Sequence, residues 1–341
     1  MKKGDAMLAK AWAWWRPIVL MALAIALSGR AQAGQDDPLA RLVHQKRYAE
    51  AKRAIGQQLA HNPSDAAALA ASVDLVLAHG QQHHVQEART LAQRCVRANP
   101  ADSLCAEALA KSLAAQARAN GFLGLVRNAR PIRDAYERAI RLDPNNYRAR
   151  VALLRFYLAT PFFLGGSEDR ARELASEAQR TDPDLTRLMR ALCALDEGKL
   201  RDAEQYLLAA DLAEYQLLQD TQRDLLLKLA SAHLDAGRHP EGARLFVELS
   251  RRVPYSEHGQ YGLALVARMQ GRLAEAAAHL ERAALIGPRP YVYKTLAEVA
   301  EARGDRQRAI AAYQAALTGR PPLDAREQEE AWARLASLQG R

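Results

Sequence analysis

Aromatic and β-branched residues are scarce in this sequence. Phenylalanine, tryptophan and tyrosine together make up 6% of the 341 residues, whereas alanine, leucine, arginine, glutamate and glutamine dominate. Strands favour β-branched and aromatic side chains, and helices favour the residues that are abundant here. The composition therefore excludes a β-sheet core and predicts helix almost throughout.

The signatures of common catalytic sites are also missing. The sequence contains no G-x-S-x-G elbow, no P-loop, no H-E-x-x-H zinc motif and no dinucleotide fingerprint. The best candidates for a metal site are His79, His83, His84 and Glu87. Gly80 interrupts this segment, so a solvated turn is predicted there instead. We therefore expect no enzyme activity, no cofactor and no metal.

The only pronounced apolar run lies at the N-terminus and is too short to span a bilayer. Pro17–Leu27 follows a basic segment and precedes Ala31-Gln32-Ala33. A membrane-spanning helix needs about 20 apolar residues, and the small residues are typical of a signal-peptidase site. We expect cleavage after Ala33 and a periplasmic protein; an uncleaved membrane anchor is the alternative.

The positive charge of the full chain is concentrated in this leader. After Ala33 the sequence has 43 basic and 38 acidic residues, a net charge of +5. An exported chain with so modest a charge is not expected to bind nucleic acid. Weak attraction to anionic lipid or polymer stays open.

A pattern of small, apolar and proline residues recurs along the chain. After a glycine, a small residue follows at five positions, an apolar one at nine, a small one at twelve and proline at seventeen. The last three units are Gly237, Gly242, Phe246, Leu249 and Pro254; Gly271, Ala276, Leu280, Ala283 and Pro288; and Gly304, Ala309, Tyr313, Ala316 and Pro321.

The same pattern continues upstream with losses. Tyr215 stands where one proline is due. The matching positions are Gly198, Ala203, Leu207 and Ala210; Gly166, Ala171, Ala175, Ala178 and Pro183; Tyr136, Ala139 and Pro144; Ala88, Ala92, Cys95 and Pro100; and Ala51, Ile55 and Pro63. Eight units result.

This pattern resembles the tetratricopeptide-repeat family, whose unit is a pair of antiparallel helices about 34 residues long. The resemblance covers roughly residues 38–322. It implies an all-α, right-handed superhelical solenoid of about eight helix pairs. In each unit, glycine would end the first helix in the left-handed conformation and proline would stop the second.

The resulting organisation is a signal peptide (1–33), a disordered start of the mature chain (34–37), the repeat array (38–322) and a capping helix with a tail (323–341). Trp332, Leu335 and Leu338 lie at helical spacing in the cap. Because a single helix pair cannot bury its apolar face, such arrays are stabilised by stacking and need a polar outer cap.

Two of the three cysteines can pair. Cys95 and Cys105 lie five residues on either side of Pro100, near the end of one helix and the start of the next. Antiparallel helices joined by a short turn bring such residues within the distance of a disulfide. The alternative is two small apolar side chains between helices, which is the role predicted for Cys193.

Two units are longer than the rest, by ten and five residues, near the turn between their helices. Their inserts look alike: Gly121–Leu125 reads GFLGL and Pro161–Gly166 reads PFFLGG. Because equivalent turns of stacked units lie on one edge, we predict an apolar, partner-binding lip. Its residues are Phe122, Leu123, Leu125, Phe162, Phe163 and Leu164. The alternative is that the phenylalanines fold back over the helical core.

The resemblance implies a non-catalytic scaffold that holds partner proteins or peptide segments of the cell envelope in its groove. The alternative is a helical periplasmic carrier of a small ligand, or an enzyme with a site in the groove. The fold alone does not choose between these functions.

Overall fold

The structure, a computed structural model, describes residues 37–78, 82–179 and 181–340. The predicted signal peptide and its cleavage site lie outside these residues. The described residues form 17 α-helices and two 3₁₀ turns, with no strand among them. The all-α prediction is confirmed. The helices divide between two compact units, residues 1–177 (unit 1) and 178–341 (unit 2).

Unit 1 contains eight α-helices and one 3₁₀ turn. They are α1 (Pro38–His44), α2 (Tyr48–His61), α3 (Ala66–Ala78), α4 (Gln82–Ala98), α5 (Ser103–Ala119), α6 (Gly121–Leu142), α7 (Tyr147–Ala159), η1 (Phe162–Leu164) and α8 (Glu168–Glu177).

Unit 2 contains nine α-helices and one 3₁₀ turn. They are α9 (Pro183–Asp196), α10 (Leu200–Ala209), η2 (Gln216–Leu218), α11 (Gln219–Asp235), α12 (His239–Arg252), α13 (His258–Met269), α14 (Leu273–Ile286), α15 (Pro290–Ala302), α16 (Arg306–Thr318) and α17 (Ala325–Gln339).

The helices up to Thr318 form eight consecutive pairs, from α1–α2 to α15–α16. Each pair is one of the units read from the sequence. The small and apolar positions of the pattern are buried where the helices meet, among them Ala203, Phe246, Ala276, Ala283, Ala309, Tyr313 and Ala316. Alanine at these positions lets the backbones approach closely, and the larger side chains fill the remaining space.

The first helices of four pairs in unit 2 end on a left-handed glycine, as predicted. These glycines are Gly198, Gly237, Gly271 and Gly304, with φ between +71° and +76°. After each, the next amide donates to a carbonyl five residues back, as Arg272 N does to Ala267 O at 2.8 Å. This is the Schellman motif, which satisfies the last carbonyls of the helix.

The first pair uses Lys46 at this position. Its φ is +60°, and Arg47 N donates to Leu42 O at 3.0 Å, so the turn has the same geometry without glycine. A side chain in the left-handed region clashes with its own backbone. The Lys46→Gly variant is therefore expected to raise the free energy of unfolding by about 1 kcal/mol.

The matched control is Lys52→Gly, an exposed position inside α2. There glycine is expected to lower stability by about 1 kcal/mol. Urea unfolding of both variants measures the two effects. Shifts of the same sign would show that Lys46 is not strained.

Arg252 replaces the missing proline after α10. Its guanidinium donates to the carbonyls of Leu208 and Ala210 at 2.7 and 2.8 Å, which lie at the C-terminal end of that helix. Tyr215, which stands at the proline position, donates its hydroxyl to Asp182 Oδ1 at 2.7 Å. Arg252, from the next helix pair, thus caps the carbonyl end of α10, which has no proline after it.

The last helix, α17, begins after Asp324, whose side chain accepts from Glu327 N. Leu335 and Ala331 are buried against the preceding pair. Trp332, which the spacing placed on the packed face, is exposed. Ala331 takes its place, because the packed stripe is rotated by one residue relative to the prediction.

Candidate partner-binding surfaces

The first helices of unit 2 share a face of half-buried aromatic and charged side chains. Tyr261 on α13 and Tyr291 on α15 meet edge to face, with ring centroids 4.9 Å apart. The hydroxyl of Tyr261 lies 3.2 Å from Thr295 Oγ1. We call the set Tyr261, Arg268, Tyr291, Lys294 and Glu298 the tyrosine face.

Ion pairs join these helices along the same face. Arg268 on α13 lies 2.7 Å from Glu298 on α15, and Lys294 lies 3.0 Å from Glu298 and 3.5 Å from Glu330 on α17. Burial acts to lower the pKa of Lys294, but the two carboxylates outweigh it and raise that pKa. Lys294 is therefore protonated at neutral pH, and ion pairs join α13 and α17 to Glu298 and Lys294 on α15.

A buried carboxylate orients Tyr291. Glu257 Oε1 accepts from the Tyr291 hydroxyl at 3.0 Å and from Arg289 Nε at 3.3 Å. Burial acts to raise the pKa of Glu257, but a backbone N–H, His258, Tyr291 and Arg289 outweigh it and lower that pKa. The ring is thus held rigidly, which lowers the entropy lost when a partner binds.

The corresponding face of unit 1 is closed by a buried ionic network. Glu107 on α5 is 1% exposed; Lys111 lies 2.8 Å from it, and Arg148 and Asn146, at the start of α7, lie 3.0 Å from it. Lys111 also pairs with Asp74 on α3 at 2.8 Å. Burial acts to raise the pKa of Glu107, but Arg148 and Lys111 outweigh it and lower the pKa to about 2. The network ties three successive pairs together.

Cys95 and Cys105 form a disulfide between α4 and α5, with their Cα atoms 5.2 Å apart. Both side chains are buried, as is Cys193 of unit 2, which is not in a disulfide. The bridge closes the turn around Pro100 and fixes one pair of unit 1 to the next.

A cleft of about 330 Å³ lies between α6, α7 and α8. Within it, Tyr157 donates its hydroxyl to Glu137 Oε1 at 3.0 Å. Arg133, Arg141 and Arg170 lie within 4.0 Å of the same carboxylate. Glu173 and Glu177 also line the cleft, so three carboxylates accompany the three arginines and little unbalanced charge is left for an ionic ligand.

The structure separates the two inserts that were expected to form one lip. The first is helical and begins α6, with Phe122 and Leu123 exposed and Leu125 half-buried. The second forms η1. Phe162 and Phe163 are exposed, with their ring centroids 5.6 Å apart, and Leu164 is half-buried. The phenylalanines do not fold back over the core.

The second insert contacts α6 through the side chain of Arg133. A Cβ at Gly165, next to η1, would lie 3.4 Å from Arg133 Nη1. Arg133 is eleven residues after Phe122, about 16 Å along a helix axis. The expectation of side-by-side loops is therefore wrong, because the first insert adds helical turns instead of a loop. Whether either surface binds a partner stays a prediction.

Gly166 holds η1 against the end of α7. A Cβ at this position would lie 1.7 Å from Thr160 O, and Ser167 N donates to Tyr157 O at 2.9 Å. The Gly166→Ala variant is expected to lower the free energy of unfolding by about 2 kcal/mol, because the backbone must move. Thermal unfolding measures this loss.

Gly56→Ala is the matched control, since its Cβ meets nothing within 4 Å inside α2. It is expected to raise stability by about 0.5–1 kcal/mol. Equal effects of the two substitutions would contradict the close packing at Gly166.

The side chains of His79 and His83 lie outside the described residues. Among the residues that the structure does describe, no group of three or more potential metal ligands occurs. No described helix is long and apolar enough to cross a membrane.

Comparison with known proteins identifies the repeat. The family model of the tetratricopeptide repeat matches residues 227–291, which run from α11 to the start of α15 and include both tyrosines of the tyrosine face. Residues 227–291 are therefore identified as tetratricopeptide repeat. No curated protein matches the sequence of the chain.

The solved structure of yeast Tom70 resembles the chain in fold, and two further solved structures match it with TM-scores below 0.5. Yeast Tom70 is 15% identical over 86% of this chain, with a TM-score of 0.54, and the chain spans 59% of Tom70. MamA protein is 17% identical over 46% of this chain and 82% of its own, with a TM-score of 0.35. PilF of Pseudomonas aeruginosa is 14% identical over 77% of this chain and 95% of its own, with a TM-score of 0.39.

Tetratricopeptide repeats are protein-interaction modules and are typically non-catalytic, which supports a protein-binding scaffold. The sequence reading did not single out the tyrosine face. Tyr261 and Lys294 both lie ten residues before an origin glycine, and His258 and Tyr291 both lie thirteen before one. In both pairs, aromatic or charged residues recur three positions apart on the first helix. This spacing could have indicated the tyrosine face.

Proposed function

We propose that this protein is a non-catalytic scaffold of the bacterial cell envelope that holds a segment of a partner protein on its tyrosine face. The observation that carries the proposal is the rigid pair of Tyr261 and Tyr291 between the charged side chains of α13, α15 and α17. Half-buried tyrosines supply contact area at low entropic cost, and paired charges around them select the partner.

Two features support export. The leader ends in Ala31-Gln32-Ala33, and the chain contains a buried disulfide. Disulfides form and persist in oxidising compartments such as the periplasm. N-terminal sequencing of the protein from its host is expected to begin at Gly34. A membrane fraction that retains residues 1–33 would contradict this part of the proposal.

Site-specific photo-crosslinking in the native host tests the binding face. A photoreactive residue replaces Arg268, at the exposed edge of the tyrosine face, or Leu285, an exposed apolar residue on α14. The expected result is a crosslink to one defined protein from position 268 and none from position 285. Equal crosslinking from both positions would indicate non-specific contact.

Charge reversal tests the same face quantitatively. The Arg268→Glu/Lys294→Glu variant is expected to weaken binding of that protein at least tenfold, because it reverses the positive charges around the tyrosines. The comparison variant is Phe122→Ser/Phe163→Ser, which changes both inserts. If only this variant lost the partner, the inserts rather than the tyrosine face would be the binding site.

Native mass spectrometry separates a scaffold from a carrier. A scaffold is expected to show the mass of the bare chain. A small molecule that remains bound in the gas phase would favour the carrier.

A further inference from the structure

The turn between α5 and α6 presents an exposed apolar tip. Phe122 is 61% exposed, Leu123 is 74% exposed, and Val126 follows one turn later. We call these three residues the α5–α6 tip. At 22 residues, α6 is the longest described helix of the chain, and the extra turns lie at this end.

Packing between α5 and α6 directs the tip outward. A Cβ at Gly124 would lie 2.6 Å from Ala117 O, so this side of α6 is pressed against α5. Positions 122, 123 and 126 lie on the opposite side of α6, where their side chains are exposed to solvent and are not buried in the core of unit 1. Exposed apolar residues gathered at one point are typical of a contact surface.

Behind the tip the same side of α6 is basic. Arg127 and Arg130 follow it and are exposed, as is Arg118 at the end of α5. Between Glu107 and Asp134 the sequence has five basic residues and no acidic one. Lys111, Arg130 and Arg133 pair with acids of neighbouring segments, so the charge next to the tip comes from Arg118 and Arg127.

We propose that the α5–α6 tip docks on a phospholipid bilayer with anionic headgroups. Arg127 lies about 8 Å behind Phe122 along the helix axis, and Arg118 lies at the end of the neighbouring helix α5. Apolar residues of peripheral proteins enter about 5–10 Å into the headgroup boundary, so the arginines reach the level of the phosphates while Phe122 and Leu123 enter the acyl layer. An anionic surface is the occupant that matches both features.

This docking is independent of the tyrosine face, which belongs to unit 2. It would place the scaffold against a membrane while the other unit holds its partner. The residues that dock differ from those tested in the partner experiment. One proposal can therefore fail while the other holds.

Vesicle flotation tests the docking with residues 34–341, which contain every described helix and omit the apolar leader that would insert by itself. The probes are vesicles of phosphatidylglycerol with phosphatidylcholine, and vesicles of phosphatidylcholine alone. The protein is expected to bind the anionic vesicles, and this binding should weaken as the salt concentration is raised. Binding to the neutral vesicles should be at least tenfold weaker.

Variants locate the contact. Phe122→Ser/Leu123→Ser is expected to weaken binding to anionic vesicles at least tenfold, and Arg118→Gln/Arg127→Gln about fivefold for each arginine removed. The matched control is Phe162→Ser/Phe163→Ser, which removes an equally exposed aromatic pair that is followed by Glu168 and Asp169. It is expected to bind as the unchanged protein does.

Three results would overturn the proposal. The first is no binding to anionic vesicles, and the second is equal loss in the tip variant and the η1 control. The third is a dimer in sedimentation that the tip variant converts to a monomer, with vesicle binding unchanged; the tip would then be an interface between copies. Circular dichroism of each variant confirms that it is folded.

Discussion

Replacing Glu107 with glutamine is expected to lower the free energy of unfolding by about 3 kcal/mol. The carboxylate is 1% exposed and lies within 3.0 Å of Lys111 and Arg148, so its loss leaves two half-buried cations without their buried partner. Removing one partner of a buried ion pair typically costs 3–5 kcal/mol, and Asp74 keeps the effect near the lower end of that range.

The same carboxylate makes stability depend on pH. Its pKa in the folded protein is about 2, below its ordinary value of 4.5. A carboxyl group with a depressed pKa contributes stability that is complete above the ordinary pKa and is lost as the pH falls from about 4.5 towards 2. Between pH 4.5 and 2, the free energy of unfolding of the unchanged protein should therefore fall by about 3 kcal/mol more than that of Glu107→Gln.

Urea unfolding at neutral pH and across the acidic range measures both effects. Glu50→Gln is the control, because Glu50 makes an exposed ion pair with Arg47. This substitution is expected to leave the urea midpoint nearly unchanged. If Glu107→Gln behaved like Glu50→Gln, the network would not be stabilising unit 1. A cycle with Arg148→Met should give less than additive losses, since the two residues are in contact.

Loss of the disulfide is expected to have an effect of similar size. The Cys95→Ala/Cys105→Ala variant should lose about 3 kcal/mol, because the bridge closes a loop of ten residues and restricts the unfolded chain. Thermal unfolding measures the loss, and a reducing agent should lower the midpoint of the unchanged protein to that of the variant.

Thiol counting on denatured, unreduced protein provides the direct check. One reactive thiol, that of Cys193, is expected, and three would show that the bridge does not form. Cys193→Ala is the control: it removes a buried thiol that is not bridged, and a reducing agent should still lower its melting temperature. The melting temperature of Cys95→Ala/Cys105→Ala should not change with the reducing agent. If it fell as much as that of Cys193→Ala, the assignment of the bridge would be contradicted.

The comparison of inserts shows where sequence similarity misleads. Gly121–Leu125 and Pro161–Gly166 share Phe-Leu-Gly, yet one begins a helix and the other forms a 3₁₀ turn. Pro161 prevents α7 from continuing and Gly165 takes a φ of +100°, whereas no proline interrupts the start of α6. The surrounding residues, not the shared triplet, decide the local conformation.

Local rules in the sequence were sufficient for the helix pairs. The spacing of small, apolar and proline residues located all eight pairs, and most of these pairs also have the glycine that ends the first helix. Glycine and proline act on their own backbone, and alanine marks close contact wherever helices stack. The spacing around Pro100 likewise indicated that Cys95 and Cys105 would meet. These features depend on residues close together in the chain.

Only the tertiary structure decided which side chains meet across pairs. Glu107 meets Arg148, Tyr261 meets Tyr291, and Arg252 caps α10, each over thirty or more residues of chain. Such contacts depend on the rotation of each helix about its axis, and one residue of error in a helix boundary turns a side chain by about 100°. The period of the sequence fixes the order of the helices, but the faces they present are set by packing against neighbours.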